Sequence, residues 1–153
     1  MAAVAAAFAA WHFTRRRDFA AALSASPFMS VVATVLEEHY ADPDISARTV
    51  AGDLHLSGPR LARMVRRETG MDFRELRDEF RIHKAKAMLT QTDLALTEIA
   101  RRTGYESPSQ FAHFFERSTR LSPAKYRARH GNVAAPDEGD TGSAEPSQPS
   151  GSA

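Results

Sequence analysis

Hydrophobic positions recur at three- and four-residue spacing along most of the chain, and no stretch alternates with strand composition. The pattern between Pro27 and His130 therefore predicts an all-α fold. Ser26 and Pro27 have the form of a helix start, and Phe28, Val31, Val32, Val35, Leu36 and Tyr40 supply the apolar side. Asp42 before Pro43 breaks that helix, because a residue preceding proline is pushed out of the helical region. Ser46 caps a short second helix carrying Val50, Ala51 and Leu54. Ser57 caps a third, with Pro59 tolerated in its first turn. Leu61, Met64 and Val65 form its inner side and Gly70 closes it. Asp72 and Glu75 form a capping box that opens a long helix reaching about Leu89. Leu76, Phe80, Ala87 and Met88 read as its apolar stripe. A short helix follows from about Leu96 to Thr103 and stops at Gly104. Ser107, Pro108 and Gln110 combine a cap, a first-turn proline and a reciprocal side chain for the next. Ser122 and Pro123 open a last short helix through Tyr126. The total is about seven helices.

Two of these segments repeat. Ser57 through Val65 and Ser107 through Phe115 share one order: cap, three variable positions, apolar, Ala, basic, apolar, apolar. Each follows a short helix with an apolar–Ala pair, Val50–Ala51 and Ile99–Ala100, and a tight turn, His55–Leu56 and Gly104 to Glu106. This is one helix-turn-helix unit built twice around a long helix. The small Ala lets paired helices cross closely, and the apolar positions bury the second helix against the first. The remaining face of each second helix stays exposed. In the first unit it carries Pro59, Arg60, Arg63, Arg66 and Arg67; in the second, Ser109, Gln110, His113 and Arg117.

The units are expected at about 46–69 and 96–118, joined by a linker helix at about 73–89, within a domain spanning 27–130. Residues 1–26 form an alanine-rich extension of helical composition. Residues 131–153 are mostly Gly, Ser, Pro, Ala and acids, with Val133 as the only large aliphatic; too little apolar surface is present to offset the entropy of ordering, and the segment is expected to be disordered.

Net charge sharpens this picture. The formal charge is only +1, yet all twenty Lys and Arg precede Gly131 and four of the nineteen acids follow it. A basic body with an acidic tail suits a polyanionic partner. The absence of cysteine excludes disulfides and thiolate metal sites. The six histidines are scattered without a helical ligand pair, so no metal or cofactor is predicted. The apolar run from Met1 to Trp11 is too short to span a bilayer, and its positive cluster, Arg15 to Arg17, follows the run instead of preceding it. No membrane association is expected, and the protein reads as cytoplasmic and associated with the nucleoid.

The stretch from Ile99 to Phe115, followed by Ser122 to Arg127, resembles the signature of the AraC/XylS family of transcription regulators. Gly70, Arg81, Ile82, Ala85, Met88 and Leu89 are similar to that family's linker-helix pattern. The resemblance spans roughly Met29 to Arg129. It implies a seven-helix, two-lobed domain whose linker helix lets both recognition helices enter adjacent major-groove segments of promoter DNA. By position, Pro59, Ala62 and Arg63 fall where base readers sit in the first unit, and Pro108, Ser109 and His113 in the second. Pro59, Arg60, Arg63, Ser109, Gln110 and His113 are thus the expected base-reading set. Ser57, Arg66, Arg67, Ser107 and Arg117 are the expected phosphate contacts, since helix N-termini and late basic residues favour phosphate. An activator would in addition contact RNA polymerase.

Three departures stand out, the mildest being Asp72–Phe73 where that family's linker helix usually starts with a Ser–Pro pair, a change that keeps the capping logic. Arg120 occupies a position that is usually Gly, so it must adopt a left-handed conformation or alter the cap. The 26 residues before Pro27 are too few for the sensor domain most members carry, so the chain is either a standalone regulator or a fragment. Repeated hairpins are also the form of a bundle or of a protein-binding adaptor. An enzyme is the weakest reading: there is no nucleophile–base pair, phosphate loop or carboxylate constellation, and no small-molecule site is visible.

Overall fold

The structure, a computed structural model, describes residues 19–24 and 26–131. The alanine-rich stretch before Phe19 and the acidic tail after Gly131 lie outside the described residues. Within them the chain is helical, with no strand. A short α1 (Phe19–Ser24) precedes seven helices: α2 (Pro27–His39), α3 (Ala47–Asp53), α4 (Gly58–Thr69), α5 (Phe73–Gln91), α6 (Leu96–Arg102), α7 (Pro108–Thr119) and α8 (Pro123–His130).

Local chemistry explains most boundaries. The Ser26, Ser46, Ser107 and Ser122 hydroxyls each accept a backbone N–H at the start of α2, α3, α7 and α8. The capping box at α5 is closed from both sides: Glu75 N–H donates to Asp72 Oδ1 at 2.8 Å, and Asp72 N–H donates to Glu75 Oε2 at 2.9 Å. Such reciprocal caps satisfy backbone donors that the helix leaves open. Ser57 departs from expectation. It occupies the cap position of α4, but its side chain makes no capping bond.

Two hydrophobic cores form. The first joins Met29, Val32, Leu36, Val50, Leu61 and Val65 to Phe73, Leu76 and Phe80 of α5. Phe19 of α1 also enters it, edge-on to Phe80 at 6.4 Å between ring centroids. The second joins Ile82, Ala85 and Leu89 of α5 to Ile99, Ala100, Tyr105, Phe111 and Phe115. Ala51 and Ala100 are both buried, as close helix crossing requires.

The long helix corrects the expectation of one apolar stripe. Ala87 and Met88 are only partly buried. At about 100° per residue, Phe73, Leu76 and Phe80 share one side of α5, while Ile82, Ala85 and Leu89 lie roughly 180° away. α5 therefore inserts opposite faces into the two cores, and Arg81 sits where the faces change over. On α2 the inner side is Met29, Val32 and Leu36, and Val31 is 48% exposed instead of buried.

Candidate nucleic-acid interface

Each recognition helix is anchored by a pair of large side chains one turn apart. Leu61 and Val65 on α4, and Phe111 and Phe115 on α7, have no exposed surface. The burial pins each helix by one side and presents the other. On α4 the presented residues are Pro59, Arg60, Arg63, Arg66 and Arg67, and on α7 they are Pro108, Ser109, Gln110, His113 and Arg117, all exposed. Ser57 is exposed at the head of α4, and Ser107 is half-buried at the head of α7. The eleven residues expected to contact DNA thus fall on two helix faces, one per core.

The side chains differ in how far they are committed within the protein. Arg60, Arg63 and Arg66 have no ion pair or hydrogen bond among the described residues. Arg67 donates to Glu68 at 3.0 Å, an exposed pair of the kind that stabilises by about 0–1 kcal/mol. Gln110 is more constrained than its sequence position implies. Its Oε1 accepts from the Glu106 N–H at 3.0 Å. That bond lies one residue before the cap, so the reciprocal arrangement is shifted from the expected box. A bidentate grip on adenine uses both the oxygen and the NH2 of a glutamine. With one lone pair of the oxygen held by Glu106, the oxygen is fixed in direction and the NH2 is the part left to turn toward a partner. The Ser107 hydroxyl accepts from Gln110 N–H at 3.1 Å and keeps its own proton to donate. The His113 ring stands edge-on to Phe114 at 5.9 Å.

Two residues escaped the sequence reading. Arg48 on α3 is exposed beside the head of α4: its Cα lies 3.5 Å from the place a Cβ on Gly58 would occupy. Glu116 is exposed on the presented side of α7, in register with Arg66 of α4. The fifty-residue offset could have revealed it, but a search for basic groups passed over an acid. The exposed Arg101 and Arg102 on α6 are engaged with Glu98, at 2.7 and 2.6 Å. Those two hydrogen bonds lower the Glu98 carboxyl to about 2.

The repeat extends further than the sequence reading traced it. Thr69 and Thr119 each donate their hydroxyl to a carbonyl four residues back, Val65 and Phe115, both at 2.8 Å. Each also accepts the N–H two residues on, from Met71 at 3.1 Å and Leu121 at 3.2 Å. Gly70 and Arg120 follow with the same φ of 65°. Arg120 therefore takes the left-handed conformation, and the second unit closes as the first does instead of deviating. The turns inside the units also match: Leu56 N–H donates to Ala51 O at 2.8 Å, and Tyr105 N–H to Ala100 O at 3.0 Å.

Among the described residues no helix is long and apolar enough to cross a membrane, and no cluster of His or acidic groups has the makings of a metal site. Residues 50–129 match the profile of a helix-turn-helix domain family. The chain is 29% identical over 93 residues to the arabinose operon regulatory protein of Escherichia coli K12, covering 61% of this chain and 32% of that protein. It is 34% identical over 92 residues to the transcriptional activator RhaS of an Enterobacter species, covering 60% of this chain and 33% of the activator. The chain thus spans about a third of the length of these curated relatives. Among solved structures, the C-terminal domain of the response regulator AraT from Geobacillus stearothermophilus superposes with a TM-score of 0.65 at 28% identity, covering 78% of this chain and 96% of that one. The DNA-binding domain of the global transcriptional factor AdpA, solved with a target DNA, gives 0.60 at 31%, covering 68% and 92%. With the profile matching just over half of its residues, and with the duplicated unit and shared helix order described above, the chain belongs to the AraC/XylS-type helix-turn-helix family.

Proposed function

We propose that this chain binds promoter DNA in a sequence-specific manner as a transcription regulator, with α4 and α7 entering adjacent major-groove segments. The observation that carries this reading is the doubled unit: two recognition helices, each buried by one side, with exposed polar side chains on the other. An isolated basic helix is common on protein surfaces. Two such units repeated on one scaffold fit a partner that repeats, as successive turns of a groove do.

The division of labour follows from side-chain chemistry. Arg63, helped by Arg60, has the reach and the free donors to grip a guanine edge. Pro59 offers only apolar contact and shape. On α7, Ser109, His113 and the Gln110 NH2 supply shorter, more varied contacts to base edges. Arg66, Arg67 and Arg117, with Ser57, Ser107 and the N–H groups of both helix starts, face phosphate. Arg48 joins this set. Few direct base contacts are available, so DNA deformability contributes to specificity. Activation would further require a surface that meets RNA polymerase. A promoter ligand would place the protein at the cytoplasmic nucleoid.

Selection of bound duplexes from a random-sequence pool tests the reading. A bipartite site whose enrichment weakens steeply with salt is the expected result. Absence of any enriched site rejects it.

A further inference from the structure

One buried cation is not accounted for by either core or by the presented faces. Arg81, at the changeover on α5, is only 4% exposed. It makes no ion pair among the described residues. Its Nε donates to the Tyr40 carbonyl at 2.9 Å and its Nη2 to the Asp42 carbonyl at 2.7 Å. Both acceptors belong to the segment between α2 and α3, in the first lobe. The other side of the guanidinium meets the second lobe: it lies over the Tyr105 ring at 5.7 Å. The Tyr105 hydroxyl is itself buried with no hydrogen-bond partner among the described residues, so there this ring is held by its face and not by its polar end.

The matched turns show how tight the junction is. His55 and Gly104 hold equivalent positions, both with positive φ, 53° and 78°. His55 is exposed, and the turn tolerates its side chain. At Gly104 a Cβ would stand 2.8 Å from the Tyr40 carbonyl oxygen and 2.9 Å from Arg81 Nη2. The second turn therefore abuts the first lobe directly, with Arg81 wedged between them. Elsewhere the lobes are linked through α5, where Glu79 faces Ser118 of α7. Removing a buried charge from water costs several kcal/mol. Core packing alone would be better served by an apolar residue here.

We infer that Arg81 is a positioning residue that fixes the angle between the two helix-turn-helix units, and through it the half-site spacing they accept. The spacing clause rests on the DNA reading above; the angle clause does not. A guanidinium suits the task because its planar fork fixes two acceptors in direction while its flat face packs on an aromatic ring.

The chain has no cysteine, so a pair of spin labels can be placed at will. Gly52, where a Cβ meets nothing within 4 Å, and the exposed Ala128 report from opposite lobes. In the full chain carrying Gly52→Cys and Ala128→Cys, pulsed dipolar spectroscopy should give one narrow distance. Arg81→Met and Gly104→Ala should lose it to a broadened or shifted distribution. Arg81→Lys, which keeps the charge but not the fork, should fall between, and His55→Gly, at the matched but exposed turn, should leave it unchanged. Distributions for Arg81→Lys and Gly104→Ala that superpose on the parent's would overturn the inference, even if Arg81→Met fails to fold. Pool selection supplies the second arm. The parent should enrich one spacing, and Gly104→Ala should spread it while keeping the base preferences of each half. A parent that enriches no site removes the DNA reading and leaves the distance measurement to judge Arg81 alone.

Discussion

At the fifty-residue offset of the repeat, Arg60, Arg63, Arg66 and Arg67 of α4 correspond to Gln110, His113, Glu116 and Arg117 of α7. The two helices share their anchoring, their threonine-closed ends and their left-handed stops. They differ almost wholly on the presented face. One scaffold thus carries an electrostatic helix and a polar one. In contact with a polyanion, the first would supply more of the sequence-independent, salt-sensitive affinity through Arg66 and Arg67 beside the reading by Arg63, whereas the second would depend on shorter, more varied polar contacts. Folding fixes where the two faces stand, and only the presented side chains decide what each does there.

The comparison can be broken most forcefully at the anchors. Phe111→Ala should destabilise by about 3–5 kcal/mol and Leu61→Ala by about 2–5 kcal/mol, because each empties a fully buried position. Hydrogen exchange should then place the faster-exchanging amides in α6–α8 for the first variant and in α2–α4 for the second. Equal acceleration in both lobes would mean that the two cores do not behave as separate units.

Base reading is the next largest effect. Arg63→Ala should cost about 1–3 kcal/mol of discrimination at one base position, and His113→Ala should relax a different position by less. Binding to a panel of singly substituted sites separates the two. A uniform loss across the panel would reassign Arg63 to phosphate.

The in-register pair of Arg66 and Glu116 sharpens the contrast in charge. Arg66→Ala should lower the slope of log affinity against log salt by about 1. Glu116→Arg should act in the opposite direction, raising that slope and tightening binding to all sequences. If Glu116→Arg weakens binding, the carboxylate makes a specific contact and the polar helix reads a donor there.

The smallest effect concerns the two helix stops. A left-handed conformation costs a non-glycine residue about 1–2 kcal/mol, part of which glycine returns through its freer unfolded state, so Arg120→Gly should stabilise by roughly 0.5–1 kcal/mol. Gly70→Arg should destabilise by a similar amount. Denaturant midpoints at constant slope check both.

The sequence revealed what local chemistry governs. Ser26, the Asp72–Glu75 box and Gly70 mark ends that depend on residues within one turn, and each lies where the pattern placed it. The presented faces of α4 and α7 were also legible, because burial at Leu61, Val65, Phe111 and Phe115 leaves them no alternative. Tertiary facts were not. A periodicity reading assumes one inner face per helix, so it missed that α5 serves two cores on opposite sides. The burial of Arg81 was not legible, because its two acceptors are 39 and 41 residues away. The engaged oxygen of Gln110 depends on how the turn before α7 presents the Glu106 N–H, which no propensity encodes.

The central claim is that two units address one duplex together. Hydroxyl-radical footprinting of the chain on its selected site tests it most directly. The account predicts two protected segments on one face of the duplex, about one helical turn (10–10.5 base pairs) apart, with the α7-side protection lost selectively in His113→Ala. A single protected segment in the parent protein would contradict it.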